Sequence, residues 1–158
     1  MTHRIHIRPA TVDDADDIAR MAVSLTQEIS LRLGAAHFDL DRHNTAALCT
    51  ALLAEGRYLA FIAERDGVRI GFAGLSEGCS LYAEGRFATL QEFHVEPAWR
   101  SAGVGAALLE AAVALARARG WRRLEVCTPP LPAFDRSLAF YERHGFEVTG
   151  GRKLRLVV

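Results

Sequence analysis

The chain has 158 residues, half of them hydrophobic and 24% charged, a balance that suits one domain with a buried core and excludes a disordered tail. Nineteen basic residues offset nineteen acidic ones, which gives no support to a nucleic-acid or anionic-membrane binder. The start, MTHRIHIRP, lacks the apolar core of a signal peptide, VGAALLEAAVALA is shorter than the ~20 residues of a membrane span, and three scattered cysteines (Cys49, Cys79, Cys127) suit a reducing compartment, so a cytoplasmic domain is expected.

In chain order, IHIRPA alternates apolar and polar residues and predicts a first strand. Thr11 followed by VDDADDIARMAVSL supplies an N-cap, acidic residues in a first turn and apolar residues at helical spacing. DRHNTAALCTALLAEG predicts a second helix, stopped by Gly56. YLAFIAERDG and VRIGFAGLSEG are two apolar runs around an Asp66-Gly67 turn, the signature of a hairpin. FATLQEFHV is a further strand, ended by Pro97, and the stretch from Gly103 to Gly120 is one long helix, apolar nearly all round. RRLEVCT then predicts a strand, PAFDRSLAFYERHG a helix, and FEVTG and KLRLVV two short strands. The order β-α-α-β-β-β-α-β-α-β-β is that of a mixed α/β (α+β) domain.

Within this order, EPAWRSAGVG places an arginine before a Gly-x-Gly at the start of the long helix. Two glycines so close are costly in backbone entropy unless the main chain must approach something. A helix N-terminus offers unpaired N–H groups and a positive dipole end, so that something is an anion. A P-loop is excluded, since Gly105 is followed by Ala106 and Ala107 rather than Lys-Ser/Thr. A dinucleotide fingerprint is disfavoured because Leu108 stands where its third glycine belongs and because eight residues separate Val95 from Gly103. The remaining alternative is that the glycines only start a tightly packed helix.

FHVEPAWRSAGVGAALL resembles the acetyl-CoA motif of the GNAT superfamily of N-acetyltransferases, and RSLAFYERHGFEVTG, about forty residues on, resembles its second motif. The resemblance implies a single GNAT-like domain over residues 1–158, with a mostly antiparallel central sheet flanked by about four helices. It implies acetyl-CoA as co-substrate, no metal, and transfer of the acetyl group to a primary amine by direct attack in a ternary complex. A small-molecule amine is the first expectation; a protein or peptide amine, or a non-catalytic acyl-CoA sensor, is the alternative. On this reading the pyrophosphate is cradled by main-chain N–H groups from Arg100 through Ser101, Ala102, Gly103, Val104 and Gly105 to Ala106. Arg100 either adds charge or pairs with a neighbouring carboxylate. Phe93, His94 and Val95, on a strand that splays from RRLEVCT, pair with the pantetheine arm. The second motif contributes Ser137 and Tyr141. One departure is visible: the family often has Asn where this chain has Phe134, and Ser137 replaces that contact only in part.

Acetyl transfer to an amine, with a pKa around 10, needs a base for its proton, a donor for the oxyanion and an acid for the departing thiolate. Tyr141 matches the motif tyrosine and is expected as the acid; the bland reading has it only packing beside Phe140. Glu92 is expected as the base, with His94 on the same strand face and water as alternatives. The bland reading has Glu92 and His94 as a satisfied polar pair. The other histidines show no paired Cys/His ligand spacing, and Cys127 is expected as a small buried hydrophobe rather than a covalent relay. The amine is expected between the first two helices and SEGCSLYAEGRF, where Phe38, Leu81, Tyr82 and Phe87 stand among Asp39, Asp41, Glu77 and Glu84. KLRLVV could carry a homodimer by covering its open edge with a second copy.

Overall fold

The structure is a computed structural model that describes residues 4–36 and 38–158. It comprises two compact units, one ending at Cys127 and one running from Thr128 to Val158. The larger holds a five-stranded sheet in the order β1 (His6–Pro9), β2 (Leu59–Arg65), β3 (Val68–Ser80), β4 (Gly85–Val95) and β5 (Leu124–Val126). All neighbours are antiparallel except β4 and β5, which run parallel.

Two helices, α1 (Ala15–Leu33) and α2 (Arg42–Ala54), connect β1 to β2. α1 follows a single 3-10 turn in which the Thr11 N–H donates to Asp14 Oδ2 at 2.9 Å, and it stops at Gly34, whose φ of +67 a residue with a Cβ rarely adopts. α2 starts on Asp41, whose carboxylate accepts from the Asn44 N–H at 2.8 Å. Ile18, Met21 and Ala22 of α1 and Cys49 of α2 meet Ala60, Ile62 and Phe72 of the sheet in one buried cluster. Each of the larger side chains there contributes about 1.5–3 kcal/mol by leaving water. The Asp66-Gly67 hairpin is borne out: both residues have positive φ, +51 and +78, as a two-residue turn between twisted strands requires. On the opposite face lies α3 (Val104–Arg119), which buries Val104, Leu108, Leu109 and Ala112. Gly71 lets it approach: a Cβ there would meet Leu108 Cδ1 at 3.4 Å and the His94 carbonyl at 2.8 Å.

Three details depart from the sequence reading. β3 and β4 extend further than expected, so the loop between them shrinks to residues 81–84, at the end of β4 away from Val95. There Tyr82 and Phe87 stack under Arg123, 4.8 and 6.0 Å from its guanidinium carbon, and Leu81 is almost fully exposed. Cys127 is exposed rather than buried, because β5 ends one residue before it. The smaller unit has one helix, α4 (Asp135–Arg143), and no strand: FEVTG and KLRLVV form no ladder. Gly150 and Gly151 interrupt that segment, and residues 147–158 are all exposed, so the apolar alternation there has no partner strand to make it a strand.

Candidate active site

β4 carries the first part of the site. Glu92 lies opposite Gly74 of β3, but Leu90 lies opposite Leu75, so Gln91 is an extra residue, a β-bulge. The bulge reverses the alternation within one strand. Ala88 and Leu90 are buried on the side of Leu75, whereas Glu92 and His94, opposite Gly74 and Phe72, belong to the face that α1 and α2 cover. β5 pairs with β4 only at Ala88, Thr89 and Leu90, so beyond the bulge the two strands part company. The expected splay is present.

Glu92 is half-buried, and its Oε2 accepts a 2.6 Å hydrogen bond from the Tyr58 hydroxyl. Burial raises its pKa above the ordinary carboxylate value, and the Tyr58 bond works against that rise. Burial, and after it the same carboxylate, push the Tyr58 phenol well up. His94 does not pair with Glu92. The residue is 3% exposed, neither ring nitrogen has a hydrogen-bond partner among the described residues, and Nε2 lies 3.7 Å from Glu96 Oε2, too far for a hydrogen bond. Burial lowers the His94 pKa, with Glu96 opposing, so the ring is neutral at neutral pH.

After Val95 the chain makes a 3-10 turn, Pro97–Trp99, and then the glycine loop. Ser101 (φ +62) and Gly103 (φ +81) both take the left-handed conformation, and Gly103 is the N-cap of α3. No side chain caps this helix start, and an added Cβ at Gly103 would meet nothing within 4 Å. The N–H groups of the first helical turn are therefore left for a partner outside the helix. Ser101, Ala102 and Gly103 are exposed, Gly105 and Ala106 half-buried; the Val104 side chain is core, so only its main chain can serve a ligand. Arg100 takes the second of its two expected roles. Its Nε donates to the Val95 carbonyl at 2.8 Å, and Nη1 and Nη2 grip both oxygens of Glu28 on α1 at 2.7 and 2.8 Å.

In the smaller unit, α4 carries the other two residues expected from the sequence, Ser137 and Tyr141. Its N-cap is Phe134, which supplies no side-chain cap, and the Ser137 N–H donates to the Phe134 carbonyl at 3.1 Å. Ser137 and Tyr141, four apart, share one face of the helix. Tyr141 is buried, edge-on to Phe140 and Phe146 with ring centroids 5.4 Å away in each case. Burial pushes its phenol up to about 12. Sequence reasoning missed Tyr58, which reads as the apolar start of a strand. Its signal is Gly74, a glycine inside an otherwise apolar strand. Among the described residues no three His, Cys, Asp or Glu side chains group as metal ligands, and no helix is long and apolar enough to cross a membrane.

Residues 23–146 match the Acetyltransferase (GNAT) family. The chain belongs to that family and is an acetyltransferase. Its fold is shared by an integron cassette protein from the mobile metagenome of Cole Harbour Salt Marsh, at 25% identity, with 96% of this chain and 90% of that one covered and a TM-score of 0.78. A GCN5-related N-acetyltransferase from Ralstonia eutropha is similar at 19% identity, with 97% and 99% covered and a TM-score of 0.74. A predicted acetyltransferase from Clostridium acetobutylicum, solved with acetyl-CoA, is similar at 18% identity, with 98% and 96% covered and a TM-score of 0.78. No curated protein matches the chain.

Proposed function

We propose that residues 1–158 form one domain that transfers the acetyl group of acetyl-CoA to the primary amine of a small molecule in a ternary complex. The observation that carries this reading is the run from Glu92 to the start of α3. A half-buried carboxylate of raised proton affinity stands three residues before Val95, and the strand leads into a helix N-terminus stripped of side-chain caps. Main-chain N–H groups from Arg100 to Ala106 hold the pyrophosphate, and Phe93, His94 and Val95 run beside the pantetheine arm. Glu92 takes a proton from the acceptor's ammonium group, directly or through water. The free amine then attacks the thioester carbon, the carbon–sulfur bond breaks, the thiolate takes a proton from Tyr141, and the surplus proton on the new amide nitrogen passes through water to the Tyr141 phenolate and restores the phenol. A phenol held near a pKa of 12 stays protonated across the working range, as an acid must. Ser137, on the same face of α4, lies along the co-substrate.

Calorimetric titration with acetyl-CoA, CoA and NAD tests the first half of the reading: saturable binding of acetyl-CoA but not NAD is expected, and no binding of acetyl-CoA overturns it. Thiol release is then followed with a panel of amino sugars, aromatic amines, amino acids and a lysine-bearing peptide. Preference for the peptide moves the acceptor to a protein. Tyr141→Phe separates enzyme from sensor, since it should retain acetyl-CoA binding and lose about 10²-fold or more in kcat. Unchanged turnover removes Tyr141 from the chemistry.

A further inference from the structure

Tyr58 occupies a position built for it. It comes just past the turn that ends α2, and that turn is tied back to the helix: the Arg57 and Tyr58 N–H groups both donate to the Leu52 carbonyl, at 3.0 and 3.2 Å. From there the side chain lies against the buried cluster of α1, α2 and the sheet and runs across β3 at Gly74. A Cβ on Gly74 would fall 1.6 Å from the Tyr58 hydroxyl oxygen and 2.4 Å from Cζ, so the phenol fills the space where that residue's side chain would be. Gly74 is the register partner of Glu92. The missing side chain on one strand is therefore what lets the hydroxyl reach the carboxylate on the next, at 2.6 Å. Glu92 Oε1 takes no hydrogen bond from the described residues, so the phenol holds one carboxylate oxygen and leaves the other.

We propose that Tyr58 is the positioning residue for Glu92: its hydroxyl fixes the carboxylate rotamer through Oε2 and presents Oε1 to the incoming amine. The catalytic part of this inference rests on Glu92 acting as the base. The other titratable group that bears on Glu92 among the described residues is the Cys49 thiol of α2, itself pushed up to about 11 by burial and so uncharged at neutral pH. The register partner of Glu92 on β3, Gly74, brings no side chain. Among the described residues Tyr58 is thus the hydrogen-bond partner that opposes the rise which burial imposes on Glu92. Removing a donor to a carboxylate favours the protonated form, so loss of the hydroxyl moves the Glu92 titration upward.

The test is a pH titration of the Glu92 side-chain carboxyl by ¹³C NMR in protein labelled at glutamate, the signal assigned by its loss in Glu92→Gln. Tyr58→Phe keeps the ring and removes only the hydroxyl; its Glu92 midpoint is expected about one pH unit higher. Gly74→Ala must displace the phenol and should move the midpoint the same way, and should it fail to fold, Tyr58→Phe alone decides. In parallel, kcat/KM for the best amine of the panel above is measured against pH. Tyr58→Phe should lose about tenfold on the acidic limb and approach wild type on the plateau, a pattern that damage to packing would not produce. An unmoved midpoint overturns the inference. A midpoint that moves while the acidic limb stays upholds the hold of Tyr58 on Glu92 and removes Glu92 as the base.

Discussion

At the residue scale, Glu92 sets function against stability. A half-buried carboxylate whose pKa is raised above its unfolded value is favoured in the protonated form. Its contribution to stability is therefore full below the unfolded pKa and is lost as pH rises through the folded one. At neutral pH the ionised group is a cost that a base must carry. Glu92→Gln keeps the size and an acceptor for the Tyr58 hydroxyl while removing the charge. It is expected to lower kcat/KM by about 10²–10³-fold, abolish the acidic limb and raise the thermal midpoint above that of the wild type at pH 8. Kinetics and calorimetry on one preparation check both halves; a variant that is slower and also less stable contradicts the assignment. His94 shows the limit of reading side chains by alternation. It shares the Glu92 face as expected, yet its buried ring finds no hydrogen bond among the described residues, so the satisfied polar pair of the bland reading does not form.

At the element scale, most of the fold was legible in the sequence because punctuation and period agreed. The Asp66-Gly67 turn, Gly56 just past the end of α2 and the glycines at either end of α3 each sit where their backbone chemistry demands. What escaped was set by distant partners. No local pattern announces that Gln91 is an extra residue, since the bulge exists only against β3. Nor does any pattern reveal Tyr58, whose role depends on a glycine sixteen positions later. The terminal KLRLVV erred the other way, its alternation being real and its ladder absent. Asp14 is the strongest junction between elements. It is 1% exposed and takes two 2.8 Å bonds from Arg8 of β1, one from the Thr11 N–H and a 3.4 Å contact from Arg69 of β3. The Arg8 bonds hold its carboxyl down at about 2, so its contribution is present above pH 4 and is lost as pH falls toward 2. Asp14→Asn leaves two arginines facing a neutral group and should cost about 3–5 kcal/mol, a drop on the order of 10 °C in Tm at pH 7. Thermal melts from pH 7 to 2 check this, since the two proteins should converge at the acid end. A gap that persists at pH 2 would mean the charge is not the cause.

At the scale of the whole molecule, the equal numbers of acidic and basic residues leave little net field to draw in a polyanion. The local field is spent as well. The arginine nearest the glycine loop has its Nε on the Val95 carbonyl and both terminal nitrogens on Glu28, in a grip that ties the loop to a helix seventy residues earlier. Ionic strength reads out the difference between a mobile cation and a fixed main-chain dipole. A ligand caught by free lysines or arginines weakens steeply as salt screens them, whereas one seated on amide hydrogens at a helix start does not. The dissociation constant for acetyl-CoA should therefore change by no more than a few-fold between about 0.05 and 0.5 M salt, measured by calorimetry. A tenfold or greater loss would mean that Arg100 lets go of Glu28 to meet the phosphates. A dissociation constant that barely moves would make recognition of acetyl-CoA a matter of backbone shape, the tied loop serving as a rigid mould rather than a charged net.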